Sequence, residues 1–441
     1  MQKILNHVHT ANLKRLGGML IVLLLALVPF HALFVVWGGS VVGRSELLSI
    51  WKELLIIFIV GLALAVSLPQ VFRKGWREVL RQPSIVLVGL ILLAGLLANL
   101  LNASYGMAFF VGIKTTAVPL VLFLAVQPFA HEISEHKLAR IVLGSACVVA
   151  ILALVQFFLV PTSFLASIGY GESTILPFQG VHPEFPFGRS FSTLGGPNQL
   201  GTYLIVPFAV ALAAAVKARS RKSRLVASLL VTLFVTAAIT TFSRSALIGF
   251  GVATAVVVLL AVPKKYRLLT VLVFLASAAV AALVMWGVLT NDNSTILDRF
   301  LVRGELTPSG VLGGDEGHIA AIVKGYATIS MFPGGLGFGT AGPASFYAVR
   351  PLLTENWYLQ IAIEIGLIGL ALMLLLLAHI VRRVRQHGIH DPIRIGYAAA
   401  VLGIMVSALF LHSLADSTLA ILLFGMGGLL YASRAPKGNQ L

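Results

Sequence analysis

The sequence predicts an all-α fold, a polytopic transmembrane helical bundle of about twelve spans, and three observations carry that prediction. Hydrophobic residues make up 58% of the 441-residue chain and charged residues 11%, with a mean hydropathy of +0.96, which is too apolar for an ordinary soluble domain. Apolar stretches near or above the roughly 18 residues that cross a bilayer recur along the whole length. The basic residues fall in alternate loops, as the positive-inside rule requires of a chain whose two ends both lie inside.

The apolar stretches, in order, are residues 17–38, 51–71, 85–102, 106–130, 139–160, 198–217, 225–241, 244–262, 268–290, 355–380, 395–413 and 416–433. The first is too long, and lacks the small-residue cleavage site, to be a removed signal peptide, and no soluble domain is expected beside the bundle. The single cysteine, Cys147, lies within the fifth stretch, so a disulfide framework is not expected. Lys3, Lys14 and Arg15 precede the first span. The even-numbered loops carry Arg73, Lys74, Arg77 and Arg81, then Lys137 and Arg140, then the run from Lys217 to Arg224, then Lys264, Lys265 and Arg267, and last Arg382, Arg383, Arg385 and Arg394. With Arg434 and Lys437 in the tail, about 23 of the 32 Lys and Arg fall on the inner side and about 8 outside, which accounts for the net charge of +16 without nucleic acid. Lys114 remains inside the fourth span.

In this topology the two long loops, 161–197 and 291–354, face outward, and so does the turn in "TFSRSALIGF" that carries Arg244 between two apolar runs. Loops of that length mark functional elements rather than connectors. The first ends in "GRSFSTLGGPNQLGTYL", where Arg189 precedes a Gly-Gly-Pro-Asn turn and Pro197 or Asn198 opens the next helix. An arginine at a helix N-terminus makes an anion site; the bland alternative is an interfacial loop with a solvated arginine.

The second loop carries "GGDEGH", ending at His318, and then "PGGLGFGTAGPASF". Gly335, Gly337 and Gly339 have a dinucleotide-like spacing, but no strand–helix unit surrounds them, so they predict sharp turns and close approach to a ligand. "GYATISMFP" before them has the look of an interfacial amphipathic helix. Glu355 stands at the mouth of the tenth span, and Asn356, Gln360 and Glu364 follow at helical spacing on one face. Glu364, roughly 13 Å deeper than Glu355, is expected to face the interior, where pairing with a basic group such as Lys114 is the leading structural role. His412 and Asp416, four residues apart in the last outer turn, suggest a capping or packing pair.

Two guanidiniums hold a diphosphate well, and a carboxylate can take a proton from a hydroxyl, so Arg189, Arg244 and Glu355 together suit removal of a group from a lipid diphosphate. No carboxylate set suits a metal, since Asp315 and Glu316 stand isolated, and no cofactor is expected.

The segments "GRSFSTLGGPNQLGTYL", "TFSRSALIGF", "PGGLGFGTAGPASF" and "ENWYLQIAIEIGLIGL", in that order and with a long outer loop before the last, resemble the O-antigen ligase and O-antigen polymerase family of bacterial membrane glycosyltransferases. The likeness covers residues 139–433, including both long loops; residues 1–138 match only as apolar spans, and 434–441 form a cytoplasmic tail. The resemblance implies a metal-independent, inverting transferase of the bacterial inner membrane. It would move a glycan from an undecaprenyl diphosphate donor to a glycan, lipid or protein acceptor at the extracytoplasmic face. It also implies that Arg189 and Arg244 hold the diphosphate; from the residues themselves Glu355 is expected to be the general base, with His318, Asn356, Lys114 and Glu364 as supporting candidates. One departure stands out. Ligases of this family carry a histidine at the position of Glu355, which leans the chain toward a polymerase or toward another acceptor and leaves His318 as an alternative base. A polytopic transporter of a small anion or a lipid-linked sugar is the alternative class, for which intramembrane Lys114 and Glu364 and the His412–Asp416 pair also count.

Overall fold

The computed structural model describes residues 2–180, 188–261, 265–268, 272, 314–388 and 390–433. Its helices are α1 (Gln2–Leu27), α2 (His31–Val42), α3 (Ser45–Ser49), α4 (Trp51–Lys74), α5 (Trp76–Leu80), α6 (Pro83–Asn102), α7 (Met107–Gly112), α8 (Val118–Ala125), α9 (Glu135–Phe158) and α10 (Thr162–Ser167). They continue as α11 (Pro197–Lys217), α12 (Arg221–Ile239), α13 (Arg244–Ala261), α14 (Gly314–Met331), α15 (Trp357–Gln386), α16 (Pro392–Ser407) and α17 (Ser417–Ala432). Among the described residues there are no strands, and nine helical segments are long and apolar enough to cross a membrane. The chain is a multi-pass helical bundle. Ten of the twelve expected spans have a helix over most of their length, two of them only 16 residues long (α16 and α17); the expected span at 268–290, apart from Leu268 and Leu272, and the start of the second long loop, 291–313, lie outside the described residues. The fourth span is interrupted as described next.

Two spans depart from plain helix. In the fourth, α7 and α8 are joined by a π-helical turn at Ile113–Ala117, where Val118 N–H donates to the Ile113 carbonyl. Pro119 follows directly and has no N–H for the carbonyl four residues back, so the ladder widens just before it. The tenth span, expected to be continuous, is broken inside α15 at Gly366, which has φ 78° and ψ 169°.

The centre of the bundle is α11, α13 and α16, each packed on the other two. Small residues allow this. A methyl group on Gly249 would lie 2.9 Å from the Gly403 carbonyl oxygen, and one on Gly396 would lie 2.5 Å from the Val210 Cα, so these helices meet backbone to backbone. α6 packs along α15, and α17 along α8.

The two ends of the bundle differ. At one end Arg394, counted by its position among solvated basic residues, is 1% exposed. It forms a bidentate pair with Glu135 of α9 and donates to the carbonyls of Val384 (3.0 Å), Leu430 (3.1 Å) and Ser433 (3.1 Å), tying α9, α15, α16 and α17 together. Burial and the charge of Glu135 push the neighbouring Asp391 carboxyl up. At the other end the helix termini are joined by loops. Thr193 Oγ1 donates to the Pro29 carbonyl (2.7 Å), Thr418 Oγ1 to that of Val28 (3.5 Å), and Trp357 N–H to that of Ala408 (3.0 Å).

Removing the acid should strand the buried guanidinium. Glu135→Ala is expected to lower stability by about 3–5 kcal/mol, read as earlier thermal unfolding of the protein in detergent. The double variant Glu135→Leu, Arg394→Met should regain only part of this loss, because three carbonyls lose their donor.

Candidate functional site

The polar groups singled out in the sequence gather at the end opposite Arg394, around three features. The first is the arginine pair. Residues 188–196 form no helix and are pinned on every side. Ser190 N–H donates to the Thr240 carbonyl (2.9 Å) and its hydroxyl to that of Ala153 (2.9 Å). Gln156 Oε1 accepts from both Phe191 N–H (3.0 Å) and Ser192 N–H (2.6 Å). Arg189 is then held by its own guanidinium, Nε donating to the Thr241 carbonyl (2.8 Å) and Nη2 to Asn198 Oδ1 (2.7 Å). Thr241 lies in the α12–α13 turn, and Arg244 is the first residue of α13. Burial and the nearby charge of Arg244 lower the Arg189 pKa to about 10. The group remains cationic at neutral pH. Two arginines thus stand where α11 and α13 begin, close enough for the charge of Arg244 to act on Arg189, and two helix N-termini add positive potential there. A cavity of about 550 Å³ opens beside Arg189 and Ser190, walled by Gln156, Phe157, Pro177 and Phe178. A second cavity of about 560 Å³ between α15 and α16 is apolar apart from Arg382, Arg385 and Gln386 at one end.

The second feature is the mouth of α15. Asn356 caps the helix, its Oδ1 accepting from Leu359 N–H (3.0 Å), while its Nδ2 donates to the Leu409 carbonyl (2.9 Å). Trp357 N–H bonds to the Ala408 and Leu411 carbonyls, and Tyr358 OH to that of Met405 (2.7 Å). Asn356 is therefore a structural cap. Glu355, just outside it, is held at φ 50°, a left-handed conformation that costs about 1–2 kcal/mol for a residue with a side chain. Its carboxylate lies 3.8 Å from His318 Nδ1, on the first turns of α14. The expected helix near 325–333 is present and longer than the sequence motif, covering Gly314–Met331. His412 is within electrostatic reach of both Glu355 and His318; burial lowers its pKa, the Glu355 charge raises it and His318 lowers it. The sequence reading made His412 a capping or packing residue. Asp416 does cap α17, accepting from Leu419 N–H (2.9 Å), but the His412 side chain makes no cap bond.

The third feature is a set of intramembrane charges, and here one expectation is corrected. Lys114 does not pair with Glu364. Its ammonium bridges Glu53 (3.0 Å), which also takes Lys52 (2.9 Å), and Lys52 in turn lies 2.9 Å from His31 Nε2. Trp51 Nε1–H donates to His31 Nδ1 (3.1 Å). Glu364, fully buried, meets Thr116 Oγ1 (3.2 Å) and Gln360 Nε2 (3.4 Å) instead. Two residues apart on a helix, Lys114 and Thr116 point to nearly opposite sides, so Lys114 reaches α4 while Thr116 reaches α15. His31, Lys52 and Glu53 escaped the sequence reading; ionisable residues at the ends of apolar stretches were the available signal.

The glycine-rich segment 333–342 makes sharp turns and approaches helices of its own chain closely. Leu336 N–H (2.7 Å) and Gly337 N–H (2.9 Å) bond to the Ile363 and Glu364 carbonyls that the break at Gly366 leaves free, and Leu367 N–H bonds to the Pro333 carbonyl (3.0 Å). Asn99 of α6 accepts from Phe338 N–H (2.8 Å), and Gly339, at φ 81°, lies on the Ala108 carbonyl. The segment is a latch joining α6, α7 and α15. The described contacts thus bring Arg189 to the turn that precedes Arg244 and, separately, Glu355 to His318, with Lys114 and Glu364 on different partners. Among the described residues no three His, Cys, Asp or Glu side chains have metal-binding geometry.

Gly339→Ala is expected to cost more than about 2 kcal/mol in thermal unfolding, from the left-handed backbone and a methyl driven into a helix carbonyl. Gly334→Ala, where an added methyl meets nothing within 4 Å, should unfold like the parent protein. Comparison with family models, with curated proteins and with solved structures finds no match to this chain.

Proposed function

We propose that the protein is a membrane glycan transferase that takes its glycan from a lipid diphosphate such as undecaprenyl diphosphate and passes it to an acceptor hydroxyl. The observation that carries the reading is the Arg189–Arg244 pair at two converging helix N-termini. Guanidiniums suit a diphosphate because their planar N–H groups match phosphate oxygens in pairs, and positive charge fixed beforehand stabilises negative charge that grows as the diphosphate departs. In the reaction, the acceptor oxygen forms a bond to the anomeric carbon on the face opposite the leaving group, giving inversion. The carbon–oxygen bond to the diphosphate breaks with its electron pair, and the acceptor proton passes to Glu355. A strained left-handed backbone at Glu355, fixed by the cap at Asn356, keeps that carboxylate at the helix mouth. His318 is the alternative base at 3.8 Å from it. The resemblance of the four quoted segments to O-antigen ligases and polymerases supports the same reading, with the site on the extracytoplasmic face of a bacterial inner membrane.

A second reading has a specific observation behind it. A helix broken at Gly366 beside the buried Glu364, facing a π turn, is the kind of irregularity found around transport sites. Against it, the carbonyls freed by that break are both taken by the 333–342 latch, which leaves them no lone role in binding an ion.

Orientation is tested first. In a Cys147→Ala background, Gly180→Cys should react with an impermeant thiol reagent in spheroplasts and Lys222→Cys should not; labelling at 222 without permeabilisation overturns the outward site. Activity is tested by incubating the purified protein with lipid-diphosphate glycan alone and then with added acceptor. Growth of the glycan without acceptor indicates a polymerase, and transfer only after acceptor is supplied indicates a ligase. Arg189→Lys and Arg244→Lys should each abolish most activity although charge is kept, since lysine lacks the planar fork. Glu355→Gln should lose roughly 10²–10⁴ in rate with donor binding intact, and Glu355→His should regain part. Inert glycan throughout, with anion flux in proteoliposomes blocked by Glu364→Gln, would establish the transporter instead.

A further inference from the structure

The turn between α16 and α17 does more than connect two helices. Its backbone carbonyls at Ala408, Leu409 and Leu411 hold Asn356 and Trp357, so it fixes the segment on which Glu355 stands. The next residue, His412, is largely buried, yet its Nδ1 meets no hydrogen-bond partner among the described residues and its side chain caps nothing. A buried imidazole nitrogen left without a partner is costly, and a packing role does not require one. The groups facing this corner are Glu355 before α15 and His318 on α14. Below it are Lys114, on the π turn packed against residues 413–415, and Asp416, whose carboxyl burial pushes up against the Leu419 N–H and the charge of Lys52.

We propose that His412 is a positioning residue for Glu355, a second imidazole that, with His318, sets the charge state and direction of that carboxylate. This rests on the reading of Glu355 as the acceptor-side base. With His412 neutral, the carboxylate keeps its lone pairs for the acceptor hydroxyl. Once His412 takes a proton, the carboxylate is drawn to the imidazolium and becomes a poorer base. Burial and the His318 charge hold the ring neutral, and the Glu355 charge works the other way, so the state of the ring follows both neighbours.

The coupling is measurable without any substrate. In protein carrying isotope-labelled histidine in nanodiscs, with the His412 signal assigned by its loss in His412→Gln, the titration midpoint of His412 should fall in Glu355→Gln and rise in His318→Gln. An unmoved midpoint in both variants overturns the proposal. The activity arm separates this from the function itself. In the lipid-diphosphate assay, the acidic limb of kcat/KM should carry two ionisations in the parent protein and one in His412→Gln, with donor affinity unchanged and His412→Asn behaving likewise. A limb identical to the parent's in His412→Gln also overturns the positioning role. If the midpoint moves as expected while Glu355→Gln stays fully active, His412 and Glu355 are coupled but Glu355 is not the base, so the proposed role of His412 falls together with that part of the functional reading.

Discussion

Backbone contact among α11, α13 and α16 is the constraint on which the rest of the structure depends. Lipid offers no hydrophobic drive for helices to associate, so close packing through small residues has to supply it. Here Gly249 lies on Gly403 and Gly396 on Val210. That crossing fixes the first turns of α11 and α13 side by side, and with them Asn198, Thr241 and Arg244, which define where Arg189 can sit. The third helix, α16, ends in the turn that clamps the mouth of α15. The arginine pair and the Glu355 segment therefore take their positions from one shared set of helices.

Charge buried in the same region is handled by division rather than by a single network. Lys52 and Lys114 share Glu53, Asp416 is spent on the α17 N-terminus, and Glu364 is served by a threonine and a glutamine. Each of these three carboxylates has short-range partners, which is what a low-dielectric interior demands of a charge. The latch at 333–342 follows the same rule for backbone: the carbonyls released by the bend at Gly366 meet the N–H groups of a segment that has no helix of its own.

Much of this was legible in the sequence. Long apolar runs located most of the spans, because length and hydropathy decide which segments can cross lipid; the Pro197 start followed from turn chemistry, and the start at Arg244 from where the apolar run resumes. Partners were not legible. Lys114 and Glu364 stand on spans that meet, and nothing in linear spacing says that Thr116, not Lys114, is the residue turned toward Glu364. The break at Gly366 was hidden inside an unbroken apolar run, since Gly is tolerated in spanning helices and its backbone angles leave no trace in hydropathy. His412 read as a cap because Asp416, four residues on, is one; only the turn's bonds to Asn356 and Trp357 bring it toward Glu355.

Arg394 ties four helices at one end of the bundle through a single guanidinium, whereas the opposite end is held by several loops, each with its own bonds. The first end therefore has one shared fastening and the second many separate ones. Loss of the guanidinium would loosen α9, α15, α16 and α17 together, while loss of any one loop bond at the other end leaves its neighbours in place.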